Sequence, residues 1–388
     1  MARLLIRLVI GLALGAAIVG AFVFFLFLPP RVDARLNAVT PHEPYEVSAE
    51  ARAMHGSLRV ADLHADTLMW MRDPLVRQKR GHTDVPRLVE GGVALQVFSA
   101  VTKSPKNLNY ERNEAGSDDI TALAVAQRWP ARTWTSLAER ALYQAERLAD
   151  AQERSNGAVR VIRTRSDLEK ALADKALAGV LATEGAHPLE GDLANVDRLY
   201  DAGYRVLGLQ HFFDNELGGS LHGTSGAGLT AFGREAVAAA EAKGMIIDVA
   251  HSSEAVARDV LAMASRPVIV SHTGLRGHCD SPRNFSDALM KEIAGKGGLV
   301  GVGFWDGAVC DPSLASVASA IAYAVDLLGA EQVALGSDYD GSTTVAFDAS
   351  EYAALTEALL AAGLDKETIR AVMGENAIEF LLRTLPES

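Results

Sequence analysis

Hydrophobic positions along the 388-residue chain fall into three regimes. Residues 8–28, LVIGLALGAAIVGAFVFFLFL, form an apolar run with no charge in it. Residues 31–48 are polar and contain proline. From residue 49 onward, apolar runs of five to eight residues alternate with amphipathic stretches of helical period.

At about 1.5 Å per residue, a helix over residues 8–28 spans roughly 30 Å, the thickness of a bilayer core. Arg3 and Arg7 precede it, and Pro29-Pro30 are expected to end it. The positive-inside rule keeps the two arginines in the cytoplasm and places the remaining chain on the extracytoplasmic side. The run exceeds a usual signal-peptide core, and no clear small-x-small cleavage site follows it. An uncleaved signal anchor is the favoured reading and a cleaved signal peptide the alternative. Residues 1–30 are thus assigned as a transmembrane anchor, 31–48 as a linker and 49–388 as the globular domain.

Within that domain a short helix over 49–55 leads into strands at 60–64, 93–100, 178–183, 204–210, 245–250, 267–271, 298–304 and 332–336. Helices are expected at 193–202, 230–243, 253–264, 286–296, 314–328, 349–362 and 366–385, several with good N-caps such as Ser253 and Asp365. The strands are near-continuous in hydrophobicity, as when both faces are buried. Eight such strands alternating with helices predict an α/β fold, a closed (β/α)8 TIM-type barrel. A doubly wound open sheet is the runner-up, weakened by the lack of a Gly-x-Gly-x-x-Gly turn after the first strand. Residues 103–156 break the alternation and are too long for a simple loop. They read as the second barrel helix preceded by an insertion. Whether this covers the barrel mouth or is a solvated excursion stays open.

Composition narrows the function classes. A formal net charge of −12 argues against nucleic acid as a partner. Cys279 and Cys310 are the two cysteines, and an exported chain permits them to pair or to stay free.

The chemistry lies at the strand ends. Strand 60–64 runs into His64-Ala65-Asp66, whose two ligand-type side chains are two positions apart and can reach one point. The third strand ends at Glu184, the fourth at His211, the fifth at His251, the sixth at His272, and the eighth at Asp338 and Asp340. Each residue alone reads equally well as a cap or a satisfied polar group. The set does not, because barrel strand ends share one mouth. The donors exceed what one tetrahedral zinc uses and suffice for two metals roughly 3.5–4 Å apart. The inferred arrangement has His64 and Asp66 on one metal, His251 and His272 on the other, and Glu184 bridging both. Water held between them would lose a proton near neutral pH and become a nucleophile.

The motifs DLHADTLMW, HTDVPRLVEGGVALQVFS, ATEGAHPLEGDL, GLTAFGREAV, IIDVAHSSEA, VIVSHTGLRGHCDSPRN and GSDYDG make the chain from about residue 51 to 382 resemble the membrane dipeptidase, or renal dipeptidase, family of dinuclear zinc peptidases. The resemblance implies a metal-dependent-hydrolase barrel and two Zn2+ per chain, with other divalent metals able to substitute. It implies hydrolysis of dipeptides with a free C-terminal carboxylate, by a hydroxide bridging the metals. His64 and Asp66 match the first-metal ligands, Glu184 the bridging glutamate, and His251 and His272 the second-metal ligands. His211 matches a substrate-side histidine and Arg283 an arginine that holds the substrate carboxylate. Asp338 matches the acid that shuttles the water's proton. Cys279 falls where the family can carry a disulfide cysteine, with Cys310 its candidate partner. A homodimer is a further expectation. The segment FFDNELGGSLHGTSG and the insertion at 103–156 depart from the mammalian pattern and bear on substrate choice. The alternatives are another amide, lactam or lactone hydrolase of this barrel class, or a non-catalytic anchored binding protein.

Overall fold

Every one of the eight expected runs forms a strand. The computed structural model describes residues 2–387. Its barrel strands are β1 (Val60–Ala65), β2 (Val93–Val101), β3 (Leu177–Glu184), β4 (Tyr204–Gly208), β5 (Ile246–Asp248), β6 (Ile269–Thr273), β7 (Leu299–Val302) and β8 (Val333–Leu335). All neighbouring pairs are parallel. β1 pairs with both β2 and β8, and β2 pairs with β3, which closes the ring. The open-sheet alternative is thereby excluded.

One apolar cluster draws residues from all eight strands, among them Leu63, Leu95, Val180, Val206, Ile246, Ile269, Leu299 and Ala334, joined by Phe380 and Leu381 of the last helix. It fills the barrel below its mouth. A second, larger cluster packs the outer helices onto the strands. Gly336 is needed where β8 passes β6: a Cβ there would lie 2.0 Å from the Ser271 carbonyl oxygen and 2.9 Å from the His272 Cα.

Three features differ from the sequence reading. Residues 159–161 form an additional strand beside the start of β3. It is too short to leave a periodic signal. The helix Arg165–Asp174, with a Thr164/Asp167 capping box, was likewise not anticipated. The N-terminal helix does not end at Pro29-Pro30. A π-helical turn at Val23–Phe27 precedes Leu28, and the helix runs on through the prolines to Leu36. Proline fits the first turn of a helix, where no i→i−4 donor is required, and the π-turn supplies that restart.

Of the expected linker 31–48, residues 31–36 continue the N-terminal helix and the rest is pinned to the barrel. Ala38–Val39 pairs with Thr344–Val345, and the Tyr45 hydroxyl donates to the Ala346 carbonyl at 2.8 Å. The second barrel helix is Leu137–Arg154, capped by Ser136 and preceded by a short helix, Ile120–Ala126. Cys279 and Cys310 are joined as a disulfide, with Cα atoms 5.6 Å apart.

Candidate active site

The strand ends bring the expected residues together. His64 Nε2 lies 3.6 Å from Asp66 Oδ1, 3.7 Å from Glu184 Oε1 and 3.8 Å from Asp338 Oδ1. Glu184 Oε1 is also 3.1 Å from His251 Nε2, 3.5 Å from His272 Nε2 and 3.4 Å from His211 Nε2. Glu184 therefore sits at the centre of four imidazoles. Three groupings have ligand atoms within 4.8 Å of one another: His64, Glu184 and His272; Glu184, His211 and His251; His64, Asp66 and Asp338. His211 and Asp338 lie as close in as the five expected ligands.

Two of these residues hold an unusual backbone. His251 and Asp338 have φ of 61° and 59°. For residues carrying a Cβ this left-handed region costs about 1 kcal/mol or more, a strain concentrated at functional sites. Asp340, also left-handed at φ 63°, turns out of the cluster. Its carboxylate accepts from the His82 backbone N–H and the Thr83 hydroxyl, each at 2.7 Å, and pairs with Arg72 at 2.8 Å. Its place at a strand end suggested a ligand, but the two αL residues of Ser337-Asp338-Tyr339-Asp340 swing it toward the β1–β2 connection instead.

The donor set fits divalent cations. His64 Nε2, Asp66 Oδ1 and Glu184 Oε2 are buried without a hydrogen-bond partner. The His251 and His272 Nε2 atoms face each other at 2.9 Å. Buried polar atoms are normally satisfied, so converging lone pairs of this kind require a cation or protons between them. Imidazole and carboxylate ligands suit zinc.

The electrostatics agree. Burial, with the charge of Glu184 beside it, pushes the Asp66 carboxyl up to about 7. Burial likewise raises Asp338 well above the usual range despite His64, with Glu184 and Asp66 adding to the rise. Glu184 is pushed up by burial, but His211, His64 and the bonds to His251 and His272 outweigh this and hold it well below the usual range. Burial depresses the His251 and His272 imidazoles, leaving neutral rings with free lone pairs.

Further groups orient and wall this cluster, and of them only His211 and Arg283 stand out in the sequence. The Ser271 hydroxyl lies 2.9 Å from His272 Nδ1 and 3.4 Å from His64 Nδ1, orienting both rings from the far side. His211 Nδ1 is 3.2 Å from the Lys103 carbonyl, which can only accept, so Nδ1 carries the proton. Arg283 is 1% exposed; its Nη2 donates to the His272 carbonyl at 2.9 Å and lies 3.2 Å from His251 Nε2. Tyr110, from the insertion, and Trp305 wall the cleft above Glu184, Arg283 and Asp338. The Trp305 indole N–H donates to the Tyr110 hydroxyl at 2.9 Å. His222 stacks on Phe212 with ring centroids 4.8 Å apart, and its Nδ1 lies 2.8 Å from the Tyr110 carbonyl oxygen. The insertion and the segment after His211 thus meet over the site.

The chain is similar to known proteins over different lengths. An uncharacterized protein in the pqqA 5' region of Klebsiella pneumoniae is 31% identical over 242 residues, covering 58% of this chain and 89% of that one. Dipeptidase 3 of Mus musculus is 28% identical over 345 residues, covering 81% of this chain and 66% of its own length. A metallo peptidase from Rhodobacter sphaeroides, solved with a phosphinate mimic of the dipeptide L-Ala-D-Ala, superposes with a TM-score of 0.66 at 24% identity. That match covers 84% of this chain and 99% of the other, and is a likeness of fold. The model of the membrane dipeptidase family, peptidase family M19, matches residues 48–384, and the chain belongs to that family.

Proposed function

We propose that this membrane dipeptidase family member hydrolyses dipeptides with a free C-terminal carboxylate, using two zinc ions held by His64, Asp66, Glu184, His251 and His272. The observation that carries this reading is the set of partnerless buried donor atoms converging on Glu184. When bound, the cations supply positive charge that acidifies water and polarises the scissile carbonyl.

The chain's own groups do the rest. Asp338, its carboxyl raised by burial, takes the proton of the attacking water and passes it to the leaving amine. A C–O bond forms, the C–N bond breaks, and the proton ends on the new amino group. Arg283 offers its planar fork to the C-terminal carboxylate, which restricts the substrate to short peptides. His211 sits beside Glu184 on the substrate side. Because Lys103 occupies its Nδ1, its Nε2 donates to a developing oxyanion only as the doubly protonated ring. Tyr110 and Trp305 shield the carbonyl from bulk water, which gives the insertion a role in covering the mouth.

The Rhodobacter protein's ligand mimics a dipeptide with a D-residue at the C-terminal side. L,D as well as L,L dipeptides therefore belong in the assay. Full-length enzyme in detergent should cleave such a panel, lose activity on chelation and regain it with zinc at about two ions per chain. Turnover of cyclic amides or lactones but not dipeptides would overturn the reading in favour of another hydrolase of this barrel class.

The N-terminal helix completes the proposal. Among the described residues it is the one helix long and apolar enough to cross a membrane. We read it as an uncleaved anchor, with Arg3 and Arg7 inside and the barrel outside, where the Cys279–Cys310 disulfide is stable.

A further inference from the structure

The anchor helix does not trail away from the domain. Its end is locked to the cleft-forming face. Asp33 is buried and pairs with Arg80 at 2.6 Å and Arg72 at 3.2 Å, and it accepts from Asn37 at 2.9 Å. Asn37 in turn accepts from the backbone N–H of Ser342 at 2.9 Å. Ser342, with Gly341 and Thr343, lines the substrate cleft. The turns Val23–Phe27 and Leu28–Leu36 also pack against helix Ile120–Ala126 of the insertion, whose Ile120 lines the same cleft.

Beyond Leu36, five large apolar side chains are exposed among the described residues: Met71, Val76, Val89, Leu108 and Trp134. All five belong to the segments that follow β1 and β2; Val89 lies on the helix Val85–Glu90 that leads back to β2, and the other four precede the barrel helices, toward the mouth. Met71, Leu108 and Trp134 are 36%, 42% and 40% exposed. Trp134 hangs from the Trp129 carbonyl, and Met71 is met by the exposed Arg128 guanidinium. The turn Ala131–Trp134 packs on helix Ile120–Ala126, which the end of the N-terminal helix also meets; a tryptophan, apolar side chains and an arginine on that side form a surface suited to the headgroup boundary.

We propose that the barrel mouth faces the bilayer, with Trp134, Met71 and Leu108 entering its interfacial layer. The occupant of this apolar rim is thus the lipid surface in which the chain's own helix is embedded. This rests on reading that helix as an anchor. The consequence is that substrate enters through the gap between membrane and mouth, which admits small solutes and excludes folded proteins.

The other three tryptophans, Trp70, Trp129 and Trp305, are at most 2% exposed, so Trp134 is the natural reporter. Full-length chain is placed in nanodiscs of phosphatidylcholine brominated on the acyl chain just below the glycerol, and in unbrominated discs. Emission should fall in the brominated discs by the share that Trp134 contributes, and Trp134→Phe should show no such fall. Equal emission in both lipids, with the chain co-eluting with the discs, overturns the orientation and leaves the anchor standing. A chain that does not co-elute overturns the anchor reading, and the orientation with it. Quenching absent at high but present at low protein-to-disc ratio would assign the rim to a second copy of the chain instead.

Discussion

Two groups of buried carboxylates stand close together in this barrel. Asp66, Glu184 and Asp338 form one; Asp62, Asp248 and Asp340 form the other. None of the six is more than 7% exposed, so burial does not separate them. Their partners do. Asp62 accepts from the Ser337 N–H at 2.8 Å, the Ser337 hydroxyl at 2.6 Å and the Gln96 amide at 2.9 Å. Asp248 accepts from the N–H groups of Ala250 and Ser271 at 2.9 and 3.0 Å. Asp340 has two such donors and an arginine. Among the described residues, no backbone N–H or hydroxyl serves the side chains of the first group, which face imidazoles and one another. The second group braces the strands: Asp62 ties β1 to Ser337 beyond β8, and Asp248 ties β5 to Ser271. The first group is left with lone pairs that only a cation satisfies.

The sharpest way to break this contrast is Glu184→Gln. An amide removes the carboxylate charge that the cluster of four imidazoles is built around, so kcat/KM should fall by on the order of 10³-fold or more and metal content should drop. Metal analysis and circular dichroism on the same sample check it, and full metal with full activity would sink the central role of Glu184. Next is Asp338→Asn. With the proton acceptor gone but the cluster intact, kcat should fall about 10²- to 10⁴-fold with KM nearly unchanged. A rise in KM at constant kcat would make Asp338 a binding group instead.

Much of this site was legible because β-strand ends announce themselves. His64, Asp66, Glu184, His211, His251, His272 and Asp338 each end an apolar run, and the closed parallel ring carries all such ends to one mouth. The same rule misplaced Asp340, since direction at a strand's end depends on whether the next residues are left-handed, and sequence carries no mark of that. Ser271 was overlooked because a serine inside VIVSHT reads as filler until its hydroxyl is found between two imidazoles. Tyr110 and Trp305 meet across 195 positions, a pairing set by how the insertion folds back. Pro29-Pro30 looked like a stop because interior proline breaks a helix; the π-turn before them removes that objection.

Asp340→Ala sharpens the contrast from the other side. It strips Arg72 of one of two buried partners, with about 3–5 kcal/mol of stability lost, while metal content and activity per folded molecule stay near wild type. The effect is pH-dependent. Arg72 and His82 overcome the burial of Asp340 and hold its carboxyl at about 2, below the roughly 3.9 of an unfolded chain. A carboxyl depressed on folding stabilises above the unfolded value and loses that contribution as pH falls through the folded one. The gap between wild type and variant in urea melts should therefore be full above about pH 4 and shrink toward pH 2. A pH-independent gap would show that Asp340 acts by packing.

The smallest expected effect tests whether anything beyond the carboxylate cluster selects the substrate. Among the described residues Arg283 is the one guanidinium lining the cleft, and it already donates to the His272 carbonyl while lying beside His251. Two roles are therefore open to it. If it binds the dipeptide's C-terminal carboxylate, Arg283→Ala removes a charge-assisted hydrogen bond worth about 1.5–3 kcal/mol, and KM for free-carboxylate dipeptides rises about ten- to a hundredfold. Dipeptide amides, which lack the charge, should be nearly unaffected. If Arg283 instead only positions His251 and His272, both substrate types lose activity together and the loss appears in kcat. Arg283→Lys separates the two further: a lysine restores charge but not the planar fork, so it should recover part of the carboxylate preference and little of any positioning function. Equal losses for acids and amides would remove Arg283 from substrate recognition and return selection to the segments that meet at Tyr110 and His222.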